Sequence, residues 1–189
     1  QADRPKQYLP LAGKTVIEHT LGRLLASGAF QKVAVAISVE DPYWPELDIS
    51  KHPDVITAPG GKERADSVLS ALKSLQGLAG EDDWVLVHDA ARPCLTAADI
   101  HLQIDSLKHD AVGGILALSS QDTLKHVDGD TITATIDRKH VWRALTPQMF
   151  KYAMLRDALQ QTEGNPAVTD EASALEILGY KPKIVEGRP

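Results

Sequence analysis

Cysteine is almost missing from this 189-residue chain. Cys94 stands alone, which excludes an intrachain disulfide and any zinc cluster built from several thiolates. A single thiol suits a reducing cytosol, so a cytoplasmic protein is the expectation. Long apolar runs are missing too. Stretches such as Val33-Ala34-Val35-Ala36-Ile37 fall far short of the roughly 20 residues needed to cross a bilayer, and no charged-then-apolar leader opens the chain. Positive charge is in deficit, with 20 Lys and Arg against 26 Asp and Glu and a formal net charge of −6. That balance speaks against a broad nucleic-acid or anionic-membrane surface, so any cationic cluster must be local. Repeats and low-complexity tracts are absent. No Gly-x-Gly-x-x-Gly follows a strand-like segment, which disfavours an NAD-dependent dehydrogenase.

What is present suffices for one sizeable core, since 43% of the residues are apolar and one domain is the natural size. Ile17, Leu21, Leu24 and Leu25 recur at helical spacing and predict a helix from Val16 to Ser27, stopped by Gly28. Lys32 to Ser38 reads as a continuous apolar strand, the pattern of a strand covered on both faces and hence of a parallel sheet. Val55 to Ala58 is a weaker strand, followed by Pro59-Gly60-Gly61 and a helix from Arg64 to Leu75. Trp84 to Val87 is the most strongly apolar strand. Thr96 and Asp99 form a capping-box pattern for a helix to about Lys108, and Gly113 to Leu118 is the next strand. Between Ser119 and Trp142, β-formers alternate with polar residues around Asp128-Gly129-Asp130, which predicts a protruding β-arm. Helices are expected at Lys151 to Gln161 and Asp170 to Leu178, the latter capped by Thr169 and closed by Gly179, with a last strand at Lys183 to Glu186. The alternation predicts a doubly wound α/β fold.

Polar groups that a core does not need gather in three places. In Arg4-Pro5-Lys6-Gln7-Tyr8 two cations flank a proline, a pattern that a solvated loop also explains. In Gly60-Gly61-Lys62-Glu63-Arg64-Ala65-Asp66-Ser67 a glycine turn leads into a helix whose first amides are suited to a nucleotide, although an ordinary charged helix start has the same spacing. The run His88-Asp89-Ala90-Ala91-Arg92-Pro93 directly follows the strand Trp84 to Val87, where open α/β sheets keep their chemistry. There Asp89 is placed to meet a cation or a substrate hydroxyl, whereas His88 reads as scaffold. Thr146-Pro147-Gln148 and Thr169-Asp170-Glu171-Ala172-Ser173 add hydroxyls near apparent element ends, where caps and turns also use them. Arg138, preceded by Asp137, stands beyond the Asp128 turn on the arm. A surface ion pair is its plain explanation.

Taken in order, Pro5-Lys6-Gln7-Tyr8, Gly60-Gly61 with Arg64-Ala65-Asp66-Ser67, Val87 to Pro93, Asp137-Arg138, Leu145 to Gln148 and Thr169 to Ala174 resemble the signatures of the 2-C-methyl-D-erythritol 4-phosphate cytidylyltransferase family of the non-mevalonate isoprenoid pathway. The resemblance runs over essentially the whole chain. It implies one nucleotidyltransferase domain over residues 1–189, a Rossmann-like, mostly parallel sheet, and a β-arm at about 119–142 that joins two subunits into a homodimer. It further implies transfer of a cytidylyl group from CTP to 2-C-methyl-D-erythritol 4-phosphate with Mg²⁺ or another divalent cation. On the family pattern Lys6 contacts the phosphates and Arg138 of the other subunit positions the acceptor. Asp89 holds substrate hydroxyls or lies near the metal, Gly61, Ser67 and Ala90 border the cytidine, and Arg92 orders the Asp89 turn. Thr123, Thr146 and Thr169 help enclose the acceptor. The same family carries a strand and a glycine-rich loop ahead of the position of Gln1, and a lysine-bearing stretch and closing helix after Pro189. A cytidylyltransferase for another polyol phosphate, such as ribitol 5-phosphate, and a noncatalytic nucleotide-binding module are the alternatives.

Overall fold

The computed structural model describes residues 4–188. A 3₁₀ turn at Lys6–Tyr8 leads through two short strands, β1 (Pro10–Leu11) and β2 (Lys14–Thr15), into helix α1 (Val16–Ala26). Thr15 starts α1 as half of a capping box with Glu18, which satisfies two otherwise unpaired backbone amides. Strand β3 (Val33–Ile37) and strand β4 (Val55–Pro59) follow, then helix α2 (Arg64–Ser74), strand β5 (Trp84–Val87), helix α3 (Ala97–Leu107) and strand β6 (Gly113–Ser119). The expected Thr96–Asp99 capping box opens α3. Next come the hairpin β7 (Lys125–Asp128) and β8 (Thr131–Thr135), the long strand β9 (Trp142–Lys151), helices α4 (Tyr152–Gln161) and α5 (Glu171–Ile177), and strand β10 (Lys183–Glu186).

Strand β9 changes the expected sheet. The order is β10-β6-β9-β5; β10 runs parallel to β6, but β9 inserts antiparallel to both β6 and β5. β3 and β4 pair in parallel as a separate ribbon. Pairing is therefore parallel and mixed rather than mostly parallel. The cause is the β-arm, which returns the chain beside β6 and forces an antiparallel neighbour, as hairpin-like connections do. Helices nevertheless cover both faces. Along β5, Val85 and Val87 pack with Leu69, Leu72, Leu155 and Leu175 of α2, α4 and α5. Leu86 faces the other way, toward Ile17 and Leu21 of α1 and Ile100 of α3. Alternation along one strand thus feeds two apolar layers, which is why β5 reads as an unbroken hydrophobic run.

Two further corrections concern element starts. The N-cap of α5 is Asp170, whose side chain accepts from the Ser173 amide, not Thr169; a carboxylate also complements the positive helix N-terminus better than a hydroxyl. Helix α4 begins one residue later than expected, with Lys151 as its N-cap. The β-arm lies where the sequence places it, between the end of β6 and the start of β9. Gly129 turns it with φ +58°, a conformation glycine enters without a Cβ penalty.

Candidate active site

The site forms where β5 ends. Asp89 to Arg92 make a turn in which the Arg92 amide donates to the Asp89 carbonyl at 3.0 Å. The turn is fastened from three sides. His88 Nε2 lies 2.9 Å from the Arg92 carbonyl, the Thr20 hydroxyl of α1 donates to the Ala90 carbonyl at 2.8 Å, and the Asp89 amide donates to Thr146 Oγ1 at 3.5 Å. Burial pushes the His88 imidazole below its ordinary pKa. Neutral near pH 7, it serves as scaffold, as the sequence reading expects.

Thr146 reaches Asp89 because β9 is irregular there. Ile115 pairs with Gln148 while Ala117 pairs with Ala144, so the Leu145-Thr146-Pro147 segment bulges out of register. A proline within a sheet is tolerated at such a bulge, where no ladder amide is required. Val87 pairs with Gln148, and continuing both strands sets Thr146 opposite Asp89.

Across from this turn, α2 begins at Arg64. A Cβ on Gly61 would collide with Asp66, so only glycine permits the tight approach of this loop to its own helix. The Gly61 amide donates to Ser67 Oγ at 2.9 Å and the Glu63 amide to Asp66 at 3.1 Å. Both amides are thereby occupied, and the Ser67 hydroxyl in turn donates to the Glu63 carbonyl at 3.2 Å, which ties the loop to the first turn of α2. Arg64 bridges the two halves. Its Nε donates to Asp89 Oδ1 at 3.1 Å, and its Nη1 and Nη2 grip the Glu171 carboxylate at 2.5 and 3.0 Å. Arg92 Nε holds the other Asp89 oxygen at 2.8 Å. Burial raises the Glu171 carboxyl and Arg64 opposes that rise. Burial alone would lower the Arg64 guanidinium, yet Glu171 and Asp89 hold it above its usual value.

A cavity of about 650 Å³ runs between the facing edges of β3 and β5 and reaches Gln7, Arg64, Ser67, His88, Asp89 and Ala90. Gln7 belongs to the 3₁₀ turn that carries Lys6, and that turn is anchored by Tyr8, which is 1% exposed and donates to Asp41 at 2.9 Å. Lys6 itself is exposed beside the cavity. The structure therefore gathers Gly61, Ser67, Asp89, Ala90, Arg92 and Thr146, with Lys6 at the rim. Three expected residues stand apart. Thr123 and Arg138 are exposed at the base of the arm, where Arg138 donates to the Gln121 carbonyl. Thr169 is exposed ahead of α5, its amide bound to Ser173 Oγ at 2.9 Å.

The arrangement sets two guanidinium groups, Arg64 and Arg92, around the Asp89 carboxylate, with Glu171 sealed behind Arg64. Among the described residues there is no group of three His, Cys, Asp or Glu able to hold a metal by itself. A single carboxylate suits Mg²⁺, which commonly takes one or two carboxylates and completes its shell with substrate phosphates and water.

Comparison with known proteins decides the family. The family model IspD, 2-C-methyl-D-erythritol 4-phosphate cytidylyltransferase, matches residues 1–189. The chain belongs to this cytidylyltransferase family. The 2-C-methyl-D-erythritol 4-phosphate cytidylyltransferase of Vibrio vulnificus strain CMCP6 is 52% identical over 189 residues, covering 99% of this chain and 80% of that protein. The protein of the same name from Pseudomonas aeruginosa strain UCBPP-PA14 is also 52% identical, over 191 residues, with 100% and 82% covered. The crystal structure of the Francisella tularensis 2-C-methyl-D-erythritol 4-phosphate cytidylyltransferase superposes with a TM-score of 0.87 at 36% identity, covering 97% of this chain and 84% of that one. The mixed α/β architecture is thus that of the cytidylyltransferase family.

Sequence reasoning singled out neither Arg64 nor Glu171 for a role, although both stand inside quoted motifs. A guanidinium at a helix N-terminus is the signal that was available. It sits badly with the positive end of the helix dipole, and so needs carboxylates from elsewhere in the fold.

Proposed function

We infer that the chain catalyses transfer of a cytidylyl group from CTP to 2-C-methyl-D-erythritol 4-phosphate, forming 4-diphosphocytidyl-2-C-methyl-D-erythritol and pyrophosphate in isoprenoid precursor biosynthesis. The match of all 189 residues to one family carries this reading, and the arginine-bracketed Asp89 turn supports it. The acceptor is a phosphate monoester with a second pKa of about 6. Near neutral pH it is largely a dianion, so its oxygen attacks the α-phosphorus without a general base. The absence of a Ser-His-Asp arrangement from the sequence motifs is in keeping with that. The barrier is electrostatic, because a dianion must approach a triphosphate and charge grows on the oxygens as pyrophosphate leaves.

Lys6, at the rim of the cavity, contacts the phosphates and stabilises the transition state. Asp89 holds substrate hydroxyls or lies close to the metal, while Gly61, Ser67 and Ala90 border the cytidine. Arg92 orders the Asp89 turn, and Thr146 and Thr169 help enclose the acceptor with Thr123. A divalent cation, Mg²⁺ for choice, would be held by the Asp89 carboxylate together with nucleotide phosphates, and would supply positive charge against the triphosphate. Arg138 acts on the acceptor phosphate of a second subunit. Its exposure on an arm outside its own subunit's cavity supports that assignment and the homodimer it requires. The helices packed on both faces of β5 support a single Rossmann-like nucleotidyltransferase domain. No described helix is long and apolar enough to cross a membrane, and the single exposed thiol of Cys94 fits a reducing cytoplasm.

Pyrophosphate release from CTP and Mg²⁺ with each polyol phosphate tests the reading on the full-length enzyme. Turnover with 2-C-methyl-D-erythritol 4-phosphate is expected. Turnover with ribitol 5-phosphate alone would reassign the acceptor, and no turnover with either would leave a binding module.

A further inference from the structure

We propose that Glu171 is a positioning residue for cytidylyl transfer, which aims the Asp89 carboxylate through the guanidinium of Arg64. The proposal rests on the reading of Asp89 as a substrate or metal contact. Glu171 is 1% exposed and stands at the first position of α5; Arg64 stands at the first position of α2. Two helix starts 107 residues apart are thus joined by one two-pronged ion pair. Guanidinium is planar and rigid. With Nη1 and Nη2 both held by Glu171, the plane is set, and the remaining Nε–H can point in only one direction. It points at Asp89 Oδ1. Arg92 takes Oδ2, so the Asp89 carboxylate is fixed by two arginines and keeps its remaining lone pairs for a ligand.

The anchor of Glu171 leads back to the same strand that supplies Thr146. Gln148 of β9, itself 1% exposed, accepts from the Ala172 amide at 2.9 Å and donates to Asp170 at 2.9 Å. Glu171 and Thr146 are therefore registered to Asp89 by one segment of β9. Charge balance points the same way. Arg64 and Arg92 face Asp89 and Glu171, two cations against two anions; without Glu171 the Asp89 carboxylate alone would balance both guanidinium groups, and the plane of Arg64 would no longer be set. A merely structural clasp has no need of such chemistry, since apolar side chains replace buried ion pairs at little or no cost in stability.

The test uses the full-length enzyme with CTP, Mg²⁺ and 2-C-methyl-D-erythritol 4-phosphate. Glu171→Gln keeps the shape and removes the charge; kcat/KM for CTP should fall about tenfold while KM for the acceptor at saturating CTP stays within about twofold. In an Asp89→Asn background the same change should cost nothing further, because its route of action is gone. Arg64→Lys, which can pair with Glu171 but cannot fork, should reproduce the tenfold loss. An additive effect of Glu171→Gln on Asp89→Asn overturns the positioning role alone. Full CTP efficiency in Arg64→Lys does so as well, and serves if Glu171→Gln fails to fold, together with the Arg64→Lys/Asp89→Asn pair. An Asp89→Asn enzyme with wild-type kinetics overturns the Asp89 contact and the positioning role with it.

Discussion

The Asp89 turn and the β7–β8 arm are built on opposite terms. Around Asp89 the framework is packed: β5 lies under two apolar layers, Glu171 is 1% exposed, and β9 delivers Thr146 across a bulge. On the arm, every residue of both strands is exposed, and Val127 and Ile132, paired across the hairpin, are 53% and 61% exposed. A carboxylate in the first region has its direction set by its own subunit. An arginine in the second is held, among the described residues, only by the exposed Gln121 carbonyl at the base of the arm, and a two-stranded hairpin is by itself only marginally stable in water. On the proposed function, nucleotide chemistry resides where the core holds it, while Arg138 rides on an exposed hairpin that a second subunit would have to place.

The sharpest way to break this contrast is a mixing experiment. Lys6→Ala should lower kcat by roughly 10²–10³-fold, as loss of one transition-state donor does. Arg138→Ala should raise the acceptor KM by about 10–100-fold with KM for CTP unchanged, the loss expected for a charge-assisted contact. If the arm serves the other subunit, a 1:1 mixture of the two variants, assayed with acceptor below the wild-type KM, should recover about a quarter of wild-type activity, since half the dimers are mixed and each contains one intact site. No recovery would return Arg138 to its own subunit. Core substitutions come next. Phe150→Ala and Leu155→Ala, both fully buried, should each cost about 3–5 kcal/mol in denaturant unfolding. On the arm, Val127→Thr should leave subunit stability within about 0.5 kcal/mol but raise the dimer dissociation constant in sedimentation experiments. A large stability loss there would show that the arm belongs to the subunit's own core.

The smallest effect concerns pH. The Asp110 carboxyl is held down from 3.8 to about 2, first by the Gly113 amide, then by Lys183 and the Val112 amide. A carboxyl depressed in the folded state adds stability above its unfolded pKa and loses it as pH falls through the folded value. That contribution is complete above about pH 4 and gone below about pH 2. Asp110→Asn should flatten the stability profile in this window and shift it little elsewhere.

Legibility in the sequence followed range. The capping box at Thr96 joins residues three apart and is as the motif predicts; the one at Thr15 has the same spacing but was not singled out. The strand β5 and the hairpin turn at Gly129 are equally local. β9 was hidden, because Thr146-Pro147 interrupts its pattern and a proline argues against a central strand; only a bulge makes room for it, and bulges depend on the partner strand. Glu171 was hidden for a related reason. Nothing in Asp170-Glu171-Ala172 distinguishes a solvated acid in a first helical turn from a carboxylate sealed against an arginine.

By itself the sequence determined the family, the alternation of strands and helices, the arm and the Asp89 turn, because each is written in residues close together along the chain. Tertiary structure alone decided the antiparallel course of β9, the meeting of Thr146 with Asp89, and the grip of Glu171 on Arg64. The last two join residues 57 and 107 positions apart, and burial, which turns an ordinary glutamate into a rigid anchor, is a property of the packed chain rather than of any segment of it.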